Sequence, residues 1–255
     1  MDRKVIYYQN ELTDEFSKAV ITPRAIDKNY KYSGSALWWV GHFFLYRGFA
    51  RPFAYLFTKL VWGHRIVGRE KLKGINKFYL YGNHTNAAAD PFIPSVLCYP
   101  TQVDVIVHPA NVSMPVGGRI TPFLGALPLP DDLDAMRNFQ KEIKYRLSKG
   151  HAITIYPEAH IWPYYTKIRP FVPDSFGYAI NDDLPCFCFT NTYQKRRFFK
   201  KPRMVTYIDG PFYPDLSLTK REAKQRLRDQ VYEAMTDRAK NNNVELIEYR
   251  RGEES

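Results

Sequence analysis

The sequence predicts an α/β fold: a mostly parallel central sheet flanked by helices, with an N-terminal amphipathic helical pair. Three observations predict it. Short apolar runs of strand character alternate with helical periodicity from residue 77 onward. Residues 35 to 62 hold a dense block of aromatic and aliphatic side chains broken by three cations. A length of 255 residues, 45% hydrophobic and 25% charged, fits one globular domain or one domain with a small appendage.

Residues 1–33 are polar and contain Pro23, which reads as an arm ordered on contact or as a short helix with a loop, and as a segment that carries no function. Its mixed charges and lack of an apolar run argue against a secretory signal. From Ser35 to Trp62, Arg47, Arg51 and Lys59 interrupt Trp38, Trp39, Phe43, Phe44, Tyr46, Phe49, Phe53, Tyr55 and Phe57, and Pro52 is expected to split the segment into two helices. These rings exceed what one buried stripe requires, and the cations are placed to snorkel toward phosphates, so the segment reads as an in-plane membrane anchor. An aromatic-rich core pair is the alternative, because periodicity does not separate lipid burial from core burial. The uncharged stretch Tyr32 to Tyr46, 15 residues, falls short of the ~20 that a transmembrane helix needs.

Strands are expected at Lys77–Gly82, Val103–Val107 and His151–Tyr156, then at Leu184–Asn191 and Met204–Asp209. Helices are expected at Leu133–Lys149, where Met136, Phe139, Ile143 and Leu147 recur at helical spacing, and at Thr219–Lys240 around Leu227, Val231 and Met235. The last six residues, 250–255, read as frayed. Residues 1–62 thus form an arm and a membrane-associating pair, and residues 63–255 the main domain, with its motif-bearing core at about 63–210.

Lys and Arg total 37 against 26 Asp and Glu, a formal net charge of +11, which favours an anionic partner. Aromatics at 16% tilt that choice toward an anionic membrane surface rather than nucleic acid. Cys98, Cys186 and Cys188 are too few and too irregularly spaced for a disulfide framework or a zinc site. His84, Asp90, His108, His151, His160 and Glu158 are also spaced wrongly for a metal centre, so no metal is expected.

The first expected strand ends in Gly82-Asn83-His84-Thr85-Asn86-Ala87-Ala88-Ala89-Asp90. A histidine at a strand end with an aspartate in the next turn makes a general base: the carboxylate fixes the tautomer and leaves the other ring nitrogen for a hydroxyl proton. A loop histidine beside an aspartate that caps a helix is the plainer reading of the same residues.

Four blocks add context: Tyr81 to Phe92, Gly125-Ala126-Leu127-Pro128-Leu129-Pro130, Ile155-Tyr156-Pro157-Glu158-Ala159-His160 and Leu184-Pro185-Cys186-Phe187, with Val67-Gly68-Arg69-Glu70 before them. In order and spacing they resemble the glycerolipid acyltransferase family of the PlsC type, the 1-acylglycerol-3-phosphate acyltransferases. The resemblance implies a fatty acyl group passing from acyl-CoA or acyl carrier protein to the hydroxyl of a lysophospholipid at the cytoplasmic face of the cell membrane. It makes His84 the base and Asp90 its partner, with Glu158 beside the reacting hydroxyl. No cofactor is implied, because the thioester already carries an activated acyl group. A different lipid acceptor, or a non-catalytic lipid-binding relative, is the alternative.

The chain also departs from the family. Five residues separate His84 from Asp90 where the family has four, Leu129-Pro130 stands where an arginine is usual, and Ala159-His160-Ile161 replaces Gly-Thr-Arg. Cys188 takes the place of a proline. If the acceptor carries a phosphate, Arg119, Lys167 and Arg169 are the cations on hand to bind it, with solvated charges or ion pairs as the alternative. Trp162 and Tyr165 wall an acyl channel or pack the core, and the run Lys195 to Arg203 is a basic hairpin tip or a contact for anionic lipid, RNA or acidic acyl carrier protein.

Overall fold

The computed structural model describes residues 4–16, 21–115 and 117–252. Seven strands form the main sheet: β2 (Arg65–Val67), β3 (Tyr79–Gly82), β4 (Val103–Val107), β5 (Ala126–Pro128), β6 (Ala152–Ile155), β7 (Cys186–Gln194) and β8 (Arg203–Phe212). Their order is β2-β8-β7-β3-β6-β4-β5, and every neighbouring pair is parallel except β7 with β8. β3 is central and buried at all four positions, because helices cover both faces of the sheet. Tyr79 and Tyr81 point into one apolar layer with Phe139, Ile143, Leu147, Leu227, Val231 and Met235; Phe78 and Leu80 point into the other with Trp62, Ile93 and Leu97.

The first layer is supplied by α5 (Leu133–Ser148), α6 (Gly177–Asp182) and α7 (Lys220–Ala239). Asp132 caps α5 by accepting from the Ala135 N–H at 2.7 Å, and Thr219 with Glu222 forms a capping box on α7. The second layer holds α2 (Arg51–Trp62) and the short α3 (Ile93–Leu97), whereas α1 (Ala36–Phe43) packs through Trp39 and His42 against α5 and the residues that lead into β4 and β6. The helical pair is thus present, but Pro52 does not break the chain between its members. Phe44–Ala50 is π-helical and joins the two α segments, and Pro52 sits at the start of the second, where its missing N–H is tolerated.

Two differences lie at the termini. β1 (Lys4–Tyr8) pairs in parallel with β9 (Ile247–Arg251) as a separate two-stranded sheet, so the arm holds a strand and Arg250 and Arg251 are ordered rather than frayed. The remainder of the expected frayed end, residues 253–255, lies outside the described residues. β2 and β5, three residues each, are too short to show a period and escape sequence reading.

Candidate active site

The ends of three adjacent strands, β6, β3 and β7, build the site, at the carboxyl edge where α/β sheets carry their ligands. Gly82 closes β3 because a Cβ there would collide with the Phe189 ring of β7. Beyond it the backbone turns on itself. Asp90 N–H donates to the Asn86 carbonyl at 2.8 Å, and the Asp90 Oδ2 accepts from the Asn86 N–H at 2.9 Å. Ala87 and Ala88 are pushed outward and exposed, so the fifth intervening residue is absorbed in the turn.

His84 and Asp90 therefore meet: His84 Nδ1 lies 2.8 Å from Asp90 Oδ2. Asp90 is completely buried, and burial pushes its carboxyl above the usual range against the opposing hydrogen bonds from His84 and the Asn86 backbone. As a carboxylate it only accepts, so Nδ1 carries the hydrogen and Nε2 keeps its lone pair. The His84 side chain is 18% exposed, and Nε2 has no hydrogen-bond partner among the described residues. Tyr156, from the end of β6, stacks on the imidazole with ring centroids 4.3 Å apart and planes 20° from parallel. Its hydroxyl donates to the Asp90 carbonyl at 2.6 Å, fixing ring and turn together.

Glu158 is buried beneath the loop. Its Oε2 accepts the His84 backbone N–H at 3.0 Å, and its Oε1 accepts that of Arg169 at 3.0 Å. Burial raises its carboxyl, opposed mainly by the Arg169 charge. Arg169 is only 1% exposed, which corrects its expected place at an acceptor phosphate. Its guanidinium pairs with Glu158 at 3.5 Å, donates to the Glu158, His160 and Glu11 carbonyls, and lies over the Trp162 ring. Trp162 and Tyr165 are buried in an aromatic group with Tyr8, Phe16 and Tyr249, and the Trp162 Nε1–H donates to the Asp14 carbonyl at 2.8 Å. They pack the core, and the N-terminal arm braces the motif loop.

Arg119 lies on α4 (Gly117–Ile120) and Lys167 on the loop after β6. Both are exposed, and neither pairs with a described residue. His160 faces Glu15 at 3.8 Å, and Cys188 is buried in β7.

Sequence reasoning missed a buried polar chain behind the dyad. Asn191 on β7 donates from Nδ2 to Asp90 Oδ1 at 3.4 Å and is held by Asn83 through two backbone hydrogen bonds of 2.8 and 3.1 Å. Thr206 on β8 donates to Asn191 Oδ1 at 2.7 Å, so its oxygen must accept from the Nε2–H of His64, 2.8 Å away. The signal was present: Thr190, Asn191 and Thr192 are polar residues in a strand otherwise built for burial on both faces.

No protein-family model and no curated protein matches the chain. Among solved structures it is similar to the 1-acyl-sn-glycerophosphate (LPA) acyltransferase PlsC from Thermotoga maritima, with a TM-score of 0.55 and 14% identity, covering 77% of this chain and 81% of that chain. The fold is that of a PlsC acyltransferase.

Proposed function

We propose that the protein is an acyltransferase that moves an acyl group from acyl-CoA or acyl carrier protein to the hydroxyl of a membrane lysophospholipid, 1-acylglycerol-3-phosphate above others. The observation that carries this reading is the closed His84–Asp90 pair, with Nε2 open on a half-buried loop. The acceptor hydroxyl gives its proton to His84 Nε2 while its oxygen bonds to the thioester carbonyl carbon. The imidazolium that forms is stabilised by Asp90. The tetrahedral intermediate then collapses, the C–S bond breaks, and the sulfur leaves with the proton held on His84, giving ester and free thiol. Every atom is accounted for without a cofactor.

The helices favour a lipid acceptor. On α2, Arg51, Ala54, Thr58 and Trp62 are buried, whereas Phe53, Leu56 and Leu60 are exposed on the opposite side. On α1 only His42 is buried, and Leu37, Val40 and Phe43 are exposed. An apolar face turned away from the core supports an in-plane anchor on the cytoplasmic face of an anionic membrane. No helix of the described residues is long and apolar enough to cross a membrane.

With Arg169 committed to Glu158, an acceptor phosphate falls to Arg119 and Lys167. Acyl transfer from acyl-CoA to a panel of lysophospholipids and a short neutral alcohol tests the reading. Arg119→Gln and Lys167→Gln are expected to raise KM for phosphorylated acceptors several-fold while sparing the alcohol. Equal effects on both acceptors, or none, remove the phosphate anchor from the proposal.

A further inference from the structure

A second feature lies two strands from His84, where α2 packs across β2 and β8. A cleft of about 500 Å³ opens there, a volume in the range of small-molecule sites. Lys59, Arg65 and Arg203 line it together with Tyr55, His64 and Tyr207, and no carboxylate does. None of the three cations is in an ion pair with a described residue. The Nε–H of Arg203 is buried without a partner, and the nearby Arg196 feels the Arg203 charge. Three cations lining one cleft without a counter-charge match an anion with several oxygens.

We propose that this cleft binds the phosphate of a lipid headgroup, at a site separate from the one at His84. The surroundings point to lipid rather than to free phosphate. Tyr55 and Lys59 come from α2, whose Leu56 and Leu60 are 55% and 77% exposed. On the other flank the β7–β8 hairpin carries Phe198 and Phe199, 82% and 65% exposed, among Lys195, Arg197, Lys200 and Lys201. Arg196 ties that tip to the end of α2: its guanidinium donates to the Val61 carbonyl at 3.5 Å and closes against Gly63. Apolar helix, basic cleft and aromatic tip form one continuous margin, with the cations at the depth of lipid phosphates when the rings enter the acyl region. The lipid source rests on the membrane reading of α1 and α2; the phosphate chemistry of the cleft does not.

The test uses the full chain on phosphatidylcholine vesicles with and without phosphatidylglycerol. Replacing two cations, Arg65→Gln with Arg203→Gln, is expected to weaken binding to the anionic vesicles by ~30-fold and to leave binding to pure phosphatidylcholine unchanged. Lys59→Gln alone, on an exposed side chain that folding does not need, is expected to cost ~5-fold. Lys220→Gln with Lys240→Gln, at the two ends of α7 across the sheet, removes the same charge and is expected to cost less than ~3-fold. His84→Ala is expected to bind anionic vesicles like wild type, because the cleft is not the acyl-transfer site.

Equal losses from the two double variants, or no loss from either, overturn the cleft as a site, and retained binding to phosphatidylcholine then leaves the membrane reading standing. A titration with inorganic phosphate, read on the Arg203 Nε–H resonance, separates the sources. Saturation of that signal in a protein that binds no vesicle overturns the lipid source and the membrane reading together.

Discussion

Glu158 shows how one side chain can hold a loop in place. Each carboxylate oxygen accepts a backbone N–H, one from His84 and one from Arg169, and the guanidinium above supplies the counter-charge. A glutamine offers only one acceptor, so Glu158→Gln turns an N–H toward an N–H and is expected to lower stability by about 1–3 kcal/mol. Arg169→Gln leaves the Glu158 charge buried and unpaired and is expected to cost about 3–5 kcal/mol. Both losses are read from denaturant unfolding. A substantial rise in KM for a phosphorylated acceptor in Arg169→Gln, at unchanged stability, contradicts the structural role. His84→Ala behaves oppositely: its fold is expected to survive, by circular dichroism and unfolding midpoint, while turnover falls ~10²- to 10⁴-fold. The pairing of His84 with Asp90 was legible in the sequence, because both lie in one turn. The fate of Glu158 was not, since its partners are the backbone of one loop and a guanidinium eleven residues away.

The segment Ala36–Trp62 carries the second lesson. Its aromatic richness was plain, but the direction of each ring was not, because lipid and core demand the same side chains. The structure divides them, and the division sets the experiment. Trp62 belongs to the core and the Tyr46 hydroxyl donates to the Val103 carbonyl at 3.1 Å, so removing the whole segment strips the sheet. Replacing the outward Phe53, Leu56 and Leu60 by serine is expected to leave the unfolding free energy within about 1 kcal/mol of wild type and to abolish sedimentation with vesicles. Two buried histidines pin these helices to the sheet: His42 Nδ1–H donates to the Phe123 carbonyl at 2.8 Å, and His64 to Thr206. Burial lowers the pKa of each to about 4, from 6.5. The unfolded chain therefore takes up protons that the fold refuses. Their contribution is complete above pH 6.5 and is lost as pH falls toward 4, by up to about 3 kcal/mol for each histidine. Asp90 and Glu158, raised by burial, act in the opposite direction and soften the decline. Denaturant unfolding at pH 7, 5.5 and 4.5 measures the slope, and His64→Gln is expected to flatten it.

Across the whole molecule, the parallel sheet explains why dispersed residues converge. β6 and β3 end side by side and β7 runs on beside them, so Tyr156 stacks on His84 and Asn191 reaches Asp90 although the sequence holds them far apart. The strands and long helices could be read from periodicity because each is long enough to repeat its pattern. The pairing of β1 with β9, and the chain from Asn191 through Thr206 to His64, depend on contacts that no local pattern encodes. That geometry also sets the test of the central claim, that His84 and Asp90 form a working base despite the extra residue between them. The measurement is release of free thiol from an acyl thioester by the full-length protein, with and without 1-acylglycerol-3-phosphate, in wild type, His84→Ala and Asp90→Asn. The account predicts release that depends on the acceptor in wild type and falls at least ~10²-fold in both variants. Turnover in His84→Ala within a factor of about two of wild type, too little for the loss of a general base, would contradict it.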